Sequence, residues 1–130
     1  MQYITTNTQE FQLLDNGIIF SRVLPNKYLE LEDGRENLKA VATLAPGKRV
    51  AIVVDISQAK GISKECRALY GTKQCAEIQY AAGIVAKSKF SKLLGKFFLG
   101  FNKPLFPIRL FSDSTMAMEW LKTMKDDEKK

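Results

Sequence analysis

Few residues in this chain could do chemistry, and they cluster in a few places. Asp55 ends the apolar run Val50-Ala51-Ile52-Val53-Val54 that follows Arg49, and Ser57 comes two residues later. A carboxylate and a hydroxyl at the carboxyl end of a buried strand sit where open α/β sheets place functional groups. The plainer role of Asp55 is to accept hydrogen bonds from the loop near Ser57. With no second carboxylate nearby, acid/base pairing cannot be built around it. Ser63 stands at a predicted helix start, where a hydroxyl caps the helix. Cys66 and Cys75 lie nine residues apart in a predicted helical region and read as buried thiols rather than a disulfide. Lys89, Lys92 and Lys96 share one helical face, which is either solvated or meets an anionic partner. The chain has no histidine. That removes the usual zinc sets and the Ser-His-Asp and Cys-His mechanisms. Its glycines are isolated, so no phosphate-cradling loop forms. The sequence therefore calls for no catalytic residue, no metal and no cofactor.

The elements that position these groups alternate regularly. Residues 10–14 and 18–24 read as strands joined by the turn-forming Asp15-Asn16-Gly17. A helix over 31–45 follows, with Leu31, Leu38, Val41, Ala42 and Ala45 inward, and Pro46-Gly47 stops it. Residues 49–56 form a strand buried on both faces. Ser63 opens helical structure that Gly71 interrupts. A small-residue strand covers 81–86. The helix over 88–101 carries Phe90, Leu93, Leu94, Phe97 and Phe101 inward. After a proline-bounded loop come a strand over 108–111 and a last helix, capped by Ser112 or Asp113. Its inward set is Met116, Ala117, Trp120, Leu121 and Met124. The expected fold is α/β, with a mixed, mainly parallel sheet of about five strands, an N-terminal hairpin and about four helices.

Composition agrees with such a fold. The 130 residues are 45% hydrophobic and 26% charged, enough for one domain with a real core. The expected domain spans 1–125, and 126–130 is a charged tail. No apolar run approaches the roughly 20 residues that cross a bilayer. The first residues have neither a basic nor an apolar signal region, so a cytoplasmic location is expected. The net charge is +6, and no acidic residue falls between Glu77 and Asp113.

This order of elements resembles the STAS domain, the fold of bacterial anti-sigma-factor antagonists, and STAS-like small bacterial proteins related to the CRAL-TRIO lipid-binding fold. Two segments carry the likeness. One is Val53-Val54-Asp55-Ile56-Ser57 with the helix opening at Ser63. The other is Pro107-Ile108-Arg109-Leu110-Phe111-Ser112-Asp113-Ser114 leading into Ala117-Met118-Glu119-Trp120-Leu121. The stretch Phe97-Phe98-Leu99-Gly100-Phe101-Asn102-Lys103-Pro104 is similar to a small uncharacterised subgroup. The resemblance implies a non-enzymatic, regulatory domain that binds a protein partner, and by position it makes Ser63 the phosphoacceptor. The family's acidic-serine-serine-glycine run is absent, since the chain reads Lys60-Gly61-Ile62-Ser63-Lys64. The CRAL-TRIO kinship implies the alternative of a small-molecule or lipid carrier with its pocket between the sheet and the 88–101 helix. An anionic lipid or small apolar ligand fits that alternative. Nucleic acid is the weakest partner, because the aromatics sit opposite the lysine stripe. The oligomeric state stays open, a homodimer included.

Overall fold

The computed structural model describes residues 2–89, 91–93 and 105–126. Strands β1 (Gln2–Thr5), β2 (Gln9–Leu13) and β3 (Ile19–Val23) come first, followed by the short β4 (Tyr28–Leu29) and helix α1 (Leu31–Leu44). Strand β5 (Val50–Asp55) and the short β6 (Gly61–Ile62) lead to helices α2 (Lys64–Leu69) and α3 (Lys73–Ala76). Strands β7 (Gln79–Val85) and β8 (Ile108–Phe111) and helix α4 (Ser114–Lys122) complete the fold. The main sheet has six strands in the order β1-β2-β3-β5-β7-β8, and β4 and β6 form a separate pair. β1–β2 and β2–β3 are antiparallel, whereas β3–β5, β5–β7 and β7–β8 are parallel. The mixed α/β fold is as expected. The edge strand β1 and the β4–β6 pair are additions, too short or too polar to show a strand pattern.

The hairpin turn follows from its residues. Gly17 adopts φ +85°, which glycine reaches without a Cβ penalty. Its N–H donates to Leu14 O at 3.0 Å, and Asn16 Oδ1 accepts from the Ile18 N–H at 3.0 Å. β5 is buried on both faces, as its unbroken Val and Ile content predicts.

Helices α1, α2 and α3 pack on one sheet face, where Phe11, Ile19 and Ile52 meet Leu38, Val41, Leu44 and Leu69. The buried stripe of α1 is Gly34, Asn37, Leu38, Ala40, Val41 and Leu44, and Ala42, expected inward, is exposed. Two non-apolar residues turn the stripe. A Cβ on Gly34 would lie 2.8 Å from Cys66 Sγ and 2.9 Å from Leu69 Cδ2, so glycine sets how closely α1 approaches α2. Asn37 is buried because its amide is fully engaged. It donates to Thr8 Oγ1 and Gln9 Oε1, each at 3.1 Å, and accepts from Thr6 Oγ1 at 2.6 Å. Gln9 Nε2 continues to Ser21 Oγ, which donates to Val53 O at 2.8 Å. This network ties α1 to β2, β3 and β5.

α4 covers the other face over β5, β7 and β8, where Ala117 and Leu121 meet Ala51, Val53, Ala81 and Val85. Its cap is Asp113, whose Oδ1 accepts the Met116 N–H at 2.9 Å. Met116, expected inward, is 57% exposed because it lies in the first turn beyond the sheet contact. Arg109 lies over the rings of Phe111 and Trp120 at 5.4 and 5.6 Å. Over β1–β3 this face holds Tyr3, which donates to Glu10 Oε2 at 2.7 Å, and Arg22, which pairs with Glu10.

Of the 88–101 helix, residues 89 and 91–93 are described and helical. Ser88 and Ser91 cap its start reciprocally, each hydroxyl accepting the other's backbone N–H at 2.9 to 3.0 Å. Ser91 is fully buried, while Leu93, expected inward, is 64% exposed. Phe90, Leu94, Phe97 and Phe101 lie outside the described residues. Of the 126–130 tail only Asp126 is described, and it is not loose: its carboxylate holds Arg49 Nη1 at 2.6 Å.

Candidate functional site

The carboxyl ends of β3, β5 and β7 carry the residues singled out by the sequence. Asp55 shares its strand face with Ala51 and Val53, the face covered by α4. Its side chain is 8% exposed. Oδ1 accepts the Ser57 N–H at 2.9 Å, and Oδ2 lies 3.8 Å from Lys87 Nζ. Ser57 Oγ accepts the Lys87 N–H at 3.1 Å. Asp55, Ser57 and Lys87 thus stitch the ends of β5 and β7 together.

Ser63 belongs to the opposite sheet face, where α2 packs. Its Oγ accepts the Cys66 N–H at 3.0 Å, and its own N–H donates to Leu29 O at 2.8 Å. At 6% exposure Ser63 is buried. The fold therefore does not bring Asp55 and Ser63 into one site. The thiols of Cys66 and Cys75 are free and buried. Burial pushes each up to about 12, with Asp33 adding to the effect at Cys66. Neither is a thiolate near neutral pH, so neither is a nucleophile.

The topology does gather charge. The loop leaving β3 carries Lys27, the segment after β5 carries Lys60 and Lys64, and the segment after β7 carries Lys87, Lys89 and Lys92. All but Lys27 are exposed. The first two loops touch directly: the Lys60 N–H donates to Lys27 O at 2.8 Å, and the Asn26 N–H donates to Gln58 O at 3.0 Å. Asn26 takes φ +62°, a conformation asparagine tolerates better than most residues. The acids at the helix starts on this end are Glu30 at the N-cap of α1, Glu32 and Asp33 in its first turn and Glu65 in the first turn of α2, and Asp55 already faces Lys87. Lys89 and Lys92 of the expected stripe follow Lys87 in the segment after β7, and Lys96 lies outside the described residues. Sequence reasoning missed Lys27, Lys60 and Lys64 as members of this basic edge, because only parallel pairing brings their loops together. It also missed Asn37. The signal was there, since residues 34, 37, 38, 41 and 44 follow helical periodicity.

An apolar cavity of about 50 Å³ lies on the α1–α3 face, among Val23, Leu29, Val54, Tyr70, Ile84 and Ile108. Pockets for organic ligands are typically about 300–1,000 Å³, so this one is too small for a lipid chain. Among the described residues no group of His, Cys, Asp and Glu could hold a metal ion, and no helix is long and apolar enough to cross a membrane.

No curated protein matches the chain. Solved structures of similar fold include the following two. An uncharacterised protein from the DUF3478 family of Shewanella loihica PV-4, described as having a SpoIIAA-like fold, is 15% identical, with a TM-score of 0.64. The alignment covers 91% of this chain and 98% of that one. A candidate anti-sigma factor antagonist from Thermotoga maritima is 18% identical, with a TM-score of 0.55 over 86% of this chain and 92% of its own. The fold is therefore SpoIIAA-like, as the resemblance to STAS domains implied. A family model matches residues 12–125, and the chain belongs to that family, described as Domain of unknown function (DUF7793).

Proposed function

We propose that this domain is a non-enzymatic regulatory module that docks the acidic surface of a protein partner on its basic sheet edge. One observation carries the reading: three separate chain segments deliver lysines to that edge, while Asp55, Ser57 and Ser63 beneath them each accept a local backbone N–H. An edge built this way has little with which to turn over a substrate, but it offers a fixed array of cations to an anionic surface. The likeness to a candidate anti-sigma factor antagonist points in the same direction. The carrier alternative places its pocket against the 88–101 helix, most of which lies outside the described residues. Phosphorylation of Ser63 would require α2 to open, because the residue is buried and its hydroxyl engaged as a cap.

The test is affinity capture from the native cell with wild type and with a Lys60→Glu/Lys64→Glu/Lys87→Glu variant, each checked for native circular dichroism. The reading predicts an acidic partner that wild type retains and the variant loses. Identical partner lists would sink it.

A further inference from the structure

The opposite end of the sheet holds a larger cavity. A cleft of about 590 Å³ lies at the amino ends of the parallel strands, between the β2–β3 turn, the end of α1, the start of β5 and the segment after α4. A second cleft of about 240 Å³ adjoins it, and Arg49, Tyr80 and Lys125 line both. The larger cleft has the size of a small-ligand pocket, and the smaller extends it.

The chemistry of the walls is lopsided. Lys48, Arg49 and Lys125 face the clefts, against Asp126 as the one acid among the described lining residues. Arg49 is rigidly placed: Nε donates to Ala76 O at 2.9 Å, and Nη1 holds Asp126 Oδ1 at 2.6 Å. Both side chains of this pair are mostly buried. Asp126 therefore places a carboxylate where a guanidinium fork favours one. Lys48 and Lys125 leave the mouth positive. The apolar lining comes from Leu13 and Ile18 beside the hairpin turn and Leu44 at the end of α1. The carboxyl end of α1 disfavours an anion beside it, so a ligand's charged head belongs with Lys125 and Arg49 and its apolar body against Leu44.

We infer that this cleft is a binding site for a small organic anion with an apolar body, such as an aromatic carboxylate, and that Asp126 is a built-in competitor for its charged subsite. The site is independent of the basic edge that docks the partner.

The inference is tested by titrating the isotope-labelled protein with benzoate, with benzyl alcohol as the neutral counterpart, and with inorganic phosphate as charge without an apolar body. Benzoate is expected to shift the amides of Gly17, Ile18, Ala45, Lys48, Val50 and Tyr80, and to bind at least tenfold more tightly than either control. Asp126→Asn is expected to tighten benzoate by at least about fivefold, since the upper end of the range for exposed pairs is a floor for this mostly buried one. Lys48→Glu/Lys125→Glu, at two exposed positions, is expected to weaken it by at least that factor. Benzoate shifts confined to the basic edge, parity with either control, or no response to both variants would overturn the inference.

Discussion

Replacing Ser63 with alanine tests whether the candidate phosphoacceptor is first of all a structural cap. The hydroxyl accepts the Cys66 N–H at 3.0 Å, and Cys66 is fully buried. Losing an N-cap serine costs about 0.5–2 kcal/mol. Here water cannot easily replace the lost acceptor, and a buried N–H without a partner costs about 1–3 kcal/mol. The two figures describe the same lost bond, so they are not added, and a value of about 2 kcal/mol is expected. For a domain of this size that lowers Tm by roughly 6–10 °C. Ser63→Asp supplies an equivalent acceptor and a charge that the amino end of α2 favours, so it should fall by less than half as much. Thermal unfolding followed by circular dichroism reads both. If Ser63→Ala melts within 1 °C of wild type, the hydroxyl is not holding α2. If Ser63→Asp is as damaged as Ser63→Ala, burial outweighs capping, and a phosphate there would unfold α2 rather than switch it.

Three further outcomes follow from the packing. Gly34→Ala forces a Cβ to within 3 Å of Cys66 and Leu69 and should cost about 1–3 kcal/mol in urea denaturation; a neutral result would mean that α1 and α2 can slide apart freely. Asn37→Leu strands Thr8 and Gln9 in a buried network, an expected loss of about 2–4 kcal/mol, whereas a stabilised variant would show that the network is dispensable. The thiols give a pH dependence. Their folded-state pKa values, pushed up to about 12, lie above that of an unfolded cysteine, near 8.5. The folded state therefore keeps protons that the unfolded state releases, and stability falls as pH rises from about 9 to 12. Tyr70, also raised by burial, adds to the fall above pH 10. A Cys66→Ala/Cys75→Ala variant should show a shallower fall, and native protein should resist thiol reagents at pH 8; rapid labelling without unfolding would contradict the burial.

Much of the fold was legible because it rests on local rules. The unbroken apolar run of β5, the Asn16-Gly17 turn, the Ser63 and Asp113 caps and the order of elements each follow from short-range chemistry. What escaped notice depends on contacts between distant residues. β1 is polar and short, and it is a strand because β2 pairs with it. Ala42 and Leu93 are apolar yet exposed, since helix periodicity fixes relative positions on a face but not which face meets the sheet. The candidate site was partly legible for the same reason. Asp55, Ser57 and Ser63 were visible as strand-end and helix-start residues. Their separation onto two sheet faces, and the gathering of Lys27, Lys60 and Lys64 beside Lys87, arise only when parallel strands align three loops at one end.

The central claim is that a partner docks on that end. Hydrogen–deuterium exchange of the domain, alone and with the captured partner, addresses it most directly. Docking at the basic edge predicts slowed exchange in residues 24–30, 56–64 and 86–89, with β1 and the 44–50 turn unchanged. Protection at β1–β3 or at the amino ends of the parallel strands, with the edge loops unaffected, would contradict it.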